Sequence, residues 1–129
     1  MILRLTGVVG MKRMHQDLQV WQEGMSLARD VYAATTSFPK EEIYGLTSQM
    51  RRAAVSLPSN IAEGAARGSK KEFLQFLIIA RGSLMELETQ ILLSKELGFL
   101  NNHASLLEKV NKTYALLNGL ITSLKRQVK

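Results

Sequence analysis

The sequence predicts an all-α fold: an antiparallel up-down-up-down four-helix bundle with a proline-kinked second helix. Apolar residues recur at alternating steps of three and four along four segments, the spacing of one helix face. No segment shows the strict alternation of a half-buried strand or the turn of a β-hairpin. Because the connections between the four segments are short, consecutive helices are expected to be antiparallel neighbours.

The first helix is indicated by an apolar stripe that begins after Asp17 and comprises Leu18, Trp21, Met25, Ala28 and Tyr32. It is expected to end in "TTSFPKEE", since Pro39 cannot continue a helix and disfavours the helical conformation at Phe38. The second helix is expected to begin at Ile43 or Tyr44.

Pro58 lies in the middle of the second apolar stripe, Leu46, Met50, Ala53, Leu57 and Ile61. A proline inside a straight helix costs about 3 kcal/mol, because it removes one backbone hydrogen bond and clashes with a carbonyl. The chain could break into two helices here, or kink and continue with Ser56 or Asn60 bonding the released carbonyls. The kink is favoured, because Leu57 is a poor N-cap and Ser59 has no acid or amide three residues later.

The third helix has the clearest signals. Ser69 and Glu72 have the spacing of a capping box, and Gly98 is expected to end the helix in the left-handed conformation. The heptad stripe between them is Phe73, Leu77, Ala80, Leu84, Leu87 and Ile91. A neighbouring face is also apolar, which predicts a subunit interface, and it contains Leu74, Phe76, Ile78, Ile79, Met85 and Leu92.

The fourth helix is expected to begin near Asn102, with the stripe Leu106, Val110, Tyr114, Leu117, Ile121 and Leu124. Residues 15–129 are therefore assigned to one bundle domain, and residues 1–14 to a flexible N-terminal extension. The 46% hydrophobic content is enough for one core. The chain has no cysteine, which excludes disulfide and thiol chemistry and favours a reducing cytoplasm. No apolar run is long enough to span a bilayer.

If the second and third helices form an antiparallel hairpin with its turn at Gly68 and Ser69, polar residues of the two helices lie opposite one another. Residues equally far from this hairpin should lie at the same height, which places Arg51 and Arg52 beside Glu86, Ser56 beside Arg81, and Gln49 beside Glu88. A hydrogen-bonded network that fixes helix register is favoured over a ligand-binding or catalytic role. Glu63 has Arg67 one turn later and could instead reach a neighbouring subunit.

The segments "YGLTSQ", "RRAAVSLPSNIAEG" and "ARGSLMELE" resemble bacterial four-helix-bundle proteins encoded within intervening sequences of 23S rRNA genes. The resemblance runs from about Leu18 to Leu124. It extends to the accessory variability protein of diversity-generating retroelements, a ring-shaped pentamer whose basic surface binds nucleic acid and a reverse transcriptase. The resemblance implies a bent second helix, a homopentamer and no known enzymatic activity. It also implies recurrent polar positions at Gln49, Arg52, Ser56, Asn60, Glu63, Arg81 and Glu86.

Charge is distributed unevenly in the predicted bundle. The chain has 17 Lys and Arg against 11 Asp and Glu, a formal charge of +6. The bundle end that contains the hairpin is expected to collect Lys12, Arg13, Arg67, Lys70, Lys71, Lys125, Arg126 and Lys129, against Asp17 and Glu72. Such a surface is typical of phosphate binding. The helix dipole alone could explain Arg67, Lys125 and Arg126, but Lys70 and Lys71 oppose it in the first turn of the third helix.

The basic residues have no aromatic companions in the sequence, so backbone contacts to structured RNA or duplex DNA are favoured over base stacking. An enzyme is the weaker class: neither His15 nor His103 has a glutamate three residues earlier, and no nucleophile elbow, Walker loop or dinucleotide fingerprint occurs. No metal or cofactor is expected. The leading hypothesis is a non-catalytic, oligomeric nucleic-acid-binding protein. The rival is a protein-only oligomeric scaffold or accessory subunit that recruits partners through the third helix.

Overall fold

Four helices make up the fold in the computed structural model, which describes residues 13–128. They are α1 (Gln19–Thr35), α2 (Leu46–Ala65), α3 (Lys70–Glu96) and α4 (His103–Gln127). Short 3₁₀ turns precede α1 and α2, at Met14–Asp17 and Lys40–Glu42. The described residues contain no strand, so the predicted all-α class is confirmed. Of the predicted N-terminal extension, residues 1–12 lie outside the described residues, and Met14 opens the first 3₁₀ turn.

Contacts between neighbouring helices fix their antiparallel order. Lys109 of α4 donates to Asp30 and Ser26 of α1, at 2.5 and 2.6 Å. Between α2 and α3, Ser94 donates to the Met50 sulfur at 3.3 Å near one end. At the other end of the same pair, a Cβ built on Gly64 would lie 2.6 Å from the Phe76 Cβ. Helices α2 and α3 are thus antiparallel. Lys112, one turn after Lys109, contacts Glu23 at 3.1 Å, so α4 and α1 are antiparallel as well.

The core is built from the inward stripes of all four helices. In α3 the predicted residues Leu77, Ala80, Leu84, Leu87 and Ile91 are fully buried, whereas Phe73 at the start of the stripe is half-buried. In α4 the stripe is largely as predicted, but Tyr114 is 37% exposed and Thr113 is buried in its place. The Thr113 hydroxyl donates to the Lys109 carbonyl at 2.7 Å, so its burial leaves no unpaired donor.

The stripe predicted for α1 was wrong by one residue. The buried residues are Val20, Gly24, Leu27, Val31 and Thr35. These positions and the predicted ones have the same spacing and are rotated by about 100° around the helix, so periodicity alone cannot choose between them. Four of the predicted residues, Trp21, Met25, Ala28 and Tyr32, line an open groove between α1 and α2, described below. Leu18, Trp21 and Ala28 are partly buried against the core.

Helix α2 continues through Pro58, in agreement with the continuous-helix alternative. The Asn60 side-chain amide donates to the Ser56 carbonyl at 2.8 Å, one turn earlier, which supplies a local bond beside the proline. Pro58 is buried, and a Cβ built on Gly24 of α1 would lie 3.6 Å from the Pro58 Cβ. At this distance a Cβ would make ordinary van der Waals contact, so the proline ring packs directly against α1 at Gly24.

The helix ends follow specific capping contacts. The start of α2 is later than predicted, at Leu46, where the Leu46 amide donates to Glu42 Oε1 at 3.0 Å. As predicted, the Ser69 hydroxyl caps α3 by accepting from the Glu72 amide at 3.2 Å. Gly98 has the predicted left-handed conformation, with φ at +80°, and the next amide donates to the Ser94 carbonyl at 2.9 Å.

Aromatic packing closes the bundle end opposite the α2–α3 hairpin. Phe99, directly after Gly98, lies against Phe38 of the α1–α2 connection with ring centroids 5.7 Å apart. Phe38 and Leu100 are both buried. No helix within residues 13–128 combines the length and the apolar character that crossing a membrane requires.

Candidate nucleic-acid interface and polar network

The basic end of the bundle is defined here as Arg13, Arg67, Lys70, Lys71, Lys125 and Arg126, the described residues of the predicted basic set. Lys12 and Lys129 lie outside the described residues. The first 3₁₀ turn packs beside the α2–α3 hairpin, because Met14 lines a small pocket with Gly68, Ser69 and Lys70. The two segments that precede α1 and join α2 to α3 therefore meet at this end.

Lys70 and Lys71 occupy the first turn of α3 and are both exposed. Among residues 13–128, no carboxylate oxygen lies within 4.0 Å of either ammonium group. Glu72, the next residue, is half-buried. Both positive charges are therefore accessible to an anion in solution.

Lys125 and Arg126 are exposed in the last turn of α4, where a cation also complements the helix dipole. The height of this turn follows from the hydrogen bond between Arg81 of α3 and Asn118 of α4, at 2.9 Å. Since the two helices are antiparallel, Lys125 lies near the level of Leu74, one turn from Lys70 and Lys71 along the bundle axis. The hairpin and the end of α4 therefore lie at the same end of the bundle.

Arg67 differs from the other cations of the basic end. Its guanidinium contacts Glu63 at 3.2 Å and lies 4.8 Å from the centroid of the Phe76 ring. This corrects two expectations: Arg67 does have an aromatic companion, and Glu63 adds a third carboxylate to Asp17 and Glu72. Phe76 is half-buried, and the guanidinium covers one face of its ring.

Ser56, Ser83 and Asn60 form the centre of the predicted polar network. The hydroxyls of Ser56 and Ser83 are 2.8 Å apart across the α2–α3 contact. The Asn60 amide donates to the Ser56 hydroxyl at 2.9 Å. These bonds join the two helices directly beside Pro58, as a register-fixing network requires. Ser83 is not among the predicted network residues.

None of the four predicted pairings of the network forms a hydrogen bond or an ion pair within the described residues, although Arg52 and Glu86 line one groove. Arg81 bonds Asn118 of α4 instead of Ser56, and Arg51 points to α1 instead of Glu86. The Arg51 Nε donates to the Thr35 hydroxyl at 2.9 Å, and its guanidinium lies 4.6 Å from the Tyr32 ring centroid. Gln49 and Glu88 share no hydrogen bond. The height of a residue along the bundle was therefore a good guide to which residues lie at the same level. Height does not determine which face of a helix a residue occupies.

A polar groove over α2 brings four of the seven network residues together: Gln49, Arg52, Ser56 and Glu86. Its volume is about 640 Å³, and Arg51, Tyr32 and Val55 also line it. Glu63 and Asn60 lie outside this groove, nearer the basic end. The network thus divides into a serine–asparagine cluster, an Arg81–Asn118 pair and this open groove.

A second groove runs between α1 and α2 and is named the α1–α2 groove. Its volume is about 580 Å³, and Trp21, Met25, Ala28, Tyr32, Val55, Pro58 and Ala62 form its apolar lining. Tyr32 and Val55 line both grooves, so the two grooves are continuous along α2. His15 lines one end, with its ring centroid 5.1 Å from that of Trp21. His15 is thus half-buried.

The outward face of α3 is named the α3 ridge and comprises Ile78, Ile79, Gly82, Glu86, Leu92 and Leu93. Its four aliphatic residues are between 40% and 53% exposed. Three residues of the predicted second apolar face, Ile78, Ile79 and Leu92, are exposed, and the other three, Leu74, Phe76 and Met85, are half-buried.

Chemically, these surfaces can bind anions and apolar partners. No cluster of three or more His, Asp or Glu side chains within residues 13–128 is arranged to hold a metal ion. The basic end has exposed ammonium and guanidinium groups that can bind anions. The two grooves and the α3 ridge provide surface that can contact a partner.

The chain is similar to one known family over most of its length. A sequence model described as 23S rRNA-intervening sequence protein matches residues 16–119, which include α1, α2, α3 and most of α4. A search among curated proteins finds no significant match. With most of its length matched and four helices in the described residues, the chain belongs to the 23S rRNA-intervening sequence protein family.

Proposed function

We propose that this protein is a non-catalytic, oligomeric nucleic-acid-binding protein that contacts the phosphates of structured RNA or duplex DNA with its basic end. The absence of cysteine suits a reducing cytoplasm as its location. The oligomer is a homopentamer in this proposal, on the strength of the resemblance to ring-shaped relatives.

The observation that carries the proposal is the pair Lys70 and Lys71. Cations in the first turn of a helix oppose the macrodipole, so helix stability does not explain their position. Both are exposed, and neither has an acidic partner within 4.0 Å among the described residues. Two such charges beside Lys125 and Arg126 suit a phosphate backbone, which carries closely spaced negative charges.

The test is binding of the purified protein to structured RNA and duplex DNA across a salt series. Lys70→Glu/Lys71→Glu should weaken binding and reduce the magnitude of the log–log salt slope for duplex DNA by up to about 1.8, about 0.9 for each phosphate that the variant no longer neutralises. The matched control is Lys40→Glu/Lys95→Glu, which alters two exposed lysines of the opposite end by the same charge. An equal decrease of affinity in both variants, or no decrease in either, would contradict the basic-end proposal.

A protein-only scaffold is the second candidate, and the α3 ridge supports it. Four partly exposed aliphatic side chains on one helix face are typical of a surface that contacts protein. This alternative expects self-association or partner binding through the ridge with no salt-sensitive retention of nucleic acid. Light scattering in the same buffers measures the mass, which for a homopentamer is five times the 14.4 kDa of one chain.

A further inference from the structure

The α1–α2 groove is an apolar surface that no part of residues 13–128 covers. Tyr32 and Val55 of its lining are 44% and 43% exposed. Among the described residues that line it, Arg29 and His15 are the ones that can be positively charged, and none is a carboxylate. The α1 stripe in this lining lies beside the buried stripe of the same helix, and a helix with two apolar stripes typically packs against two neighbours. An uncharged apolar segment is therefore the occupant that the lining favours.

The first twelve residues of the chain, which lie outside the described residues, contain such a segment. Their charged side chains are Arg4 and Lys12, so residues 5–11 between these two are uncharged. Seven of the twelve residues are apolar: Met1, Ile2, Leu3, Leu5, Val8, Val9 and Met11. Removing this apolar surface from water is favourable, and the groove is the apolar surface nearest to the point where the segment joins the bundle.

The place where the segment is attached, and its length, both suit the groove. His15 lines one end of the groove and is three residues from Lys12, so the Cα atoms of the two are at most about 11 Å apart. Along α1, the lining from Trp21 to Tyr32 is about 17 Å long. Residues 5–11 span about 23 Å when extended. The segment can therefore enter the groove beside His15 and follow it as far as Tyr32.

We propose that residues 1–12 bind in the α1–α2 groove of their own chain and cover its apolar lining. The segment runs from Lys12, beside His15, towards Tyr32. A segment tethered by a short linker has an effective concentration on the order of millimolar, so it competes well with a separate molecule at micromolar concentration. The inference does not depend on the proposed function, because it leaves both the basic end and the α3 ridge open to partners.

Trp21 is the only tryptophan of the chain, and its fluorescence reports on the groove that it lines. Deletion of residues 2–12 should shift its emission to longer wavelength and increase its quenching by acrylamide, because the indole loses its cover. Val8→Asp/Val9→Asp should have the same effect, since a carboxylate in an apolar groove loses its hydration. Circular dichroism should show that both variants keep their helices, because the buried core is formed by residues after position 12.

The matched control for the charge variant is Ala104→Asp/Ser105→Asp. Both residues are exposed in the first turn of α4, at the opposite end of the bundle from His15. The control adds the same charge as Val8→Asp/Val9→Asp and should leave the emission of Trp21 unchanged.

Cysteine pairing tests whether the segment binds its own chain. The natural chain has no cysteine, so Val8→Cys and Val9→Cys can each be combined with Ser59→Cys to give a single pair of thiols. Ser59 is exposed in the lining of the groove. With a mild oxidant, at least one of the two pairs should form a disulfide within a chain of 14.4 kDa. It should form faster than the pair with Thr122→Cys, an exposed position on α4.

Four results would overturn the inference. An unchanged Trp21 emission in both the deletion and the Val8→Asp/Val9→Asp variant would mean that the segment does not cover the groove. Equal rates of disulfide formation at Ser59→Cys and Thr122→Cys would mean that the segment has no preferred position. Disulfide-linked dimers in place of cross-linked single chains would assign the groove to the segment of a second copy. A wild-type emission that moves to longer wavelength on dilution would likewise mean that a second copy provides the cover.

Discussion

Gly64 of α2 lies so close to Phe76 of α3 that a Cβ built on Gly64 would come within 2.6 Å of the Phe76 Cβ. The atom that it would meet belongs to the base of a side chain, which moves only with its backbone. Gly64→Ala should therefore lower the free energy of unfolding. Overpacking costs about 1–3 kcal/mol, and the higher helix propensity of alanine offsets about 1 kcal/mol of this cost. Chemical denaturation measures the difference.

The control for this substitution is Gly119→Ala on α4, where a Cβ would meet nothing within 4 Å. There the helix propensity acts alone, so the free energy of unfolding should rise by up to about 1 kcal/mol. If alanine stabilises the protein at both positions, α3 can move away from the added Cβ at Gly64 without a loss of stability.

The Ser56–Ser83 hydrogen bond predicts strong coupling between the two serines. Ser56→Ala removes the partner of Ser83 and one acceptor of Asn60, and should cost about 1 kcal/mol. Ser83→Ala should cost a similar amount, and the double variant clearly less than the sum of the two single costs, because no hydroxyl is then left unpaired. A double-mutant cycle by urea denaturation gives the coupling energy. Strict additivity would mean that the two hydroxyls do not interact in solution.

The ion pair between Glu63 and Arg67 predicts that a neutral residue at Glu63 improves nucleic-acid binding. Glu63→Gln frees the Arg67 guanidinium and removes one of three carboxylates from the basic end. Since an exposed ion pair contributes about 0.2–1 kcal/mol, affinity for duplex DNA at low salt should rise by about 1.4- to 5-fold. Filter binding measures the change.

Glu96→Gln is the matched control for that measurement, because Glu96 is exposed at the opposite end of α3. It removes the same charge and should leave the affinity nearly unchanged at moderate salt, where distant charges are screened. A similar gain in both variants would mean that total charge, not the basic end, governs binding.

Much of the fold followed from the sequence, and the failures have a common physical origin. Capping at Ser69, the left-handed Gly98 and the buried stripe of α3 depend on local chemistry, and all three were predicted correctly. The buried face of α1 was not, because two stripes one residue apart satisfy the same helical period, and only the packing of α1 on its neighbours selects Leu27 over Ala28.

The candidate site was predicted about as well as the fold. The hairpin geometry gave the height of Ser56, but not that Arg81 faces α4 and bonds Asn118. Which helix Arg81 faces depends on the rotation of α3 about its axis. Because α3 has apolar residues on more than one face, their spacing does not determine this rotation. The stacking of Arg51 on Tyr32 had no sequence signal, since the two residues are on different helices and share no pattern.

Because of the Phe38–Phe99 contact, the two ends of the bundle differ in how firmly their helices are held together. It joins the α1–α2 connection to the α3–α4 connection, so all four helices are tied together at that end by buried aromatic packing. At the basic end, residues 66–71 are all exposed and the α2–α3 turn has no comparable clamp within the described residues. Local opening is least costly where little apolar surface is buried. We therefore expect the bundle to open more readily at its charged end than at the end held by Phe38 and Phe99.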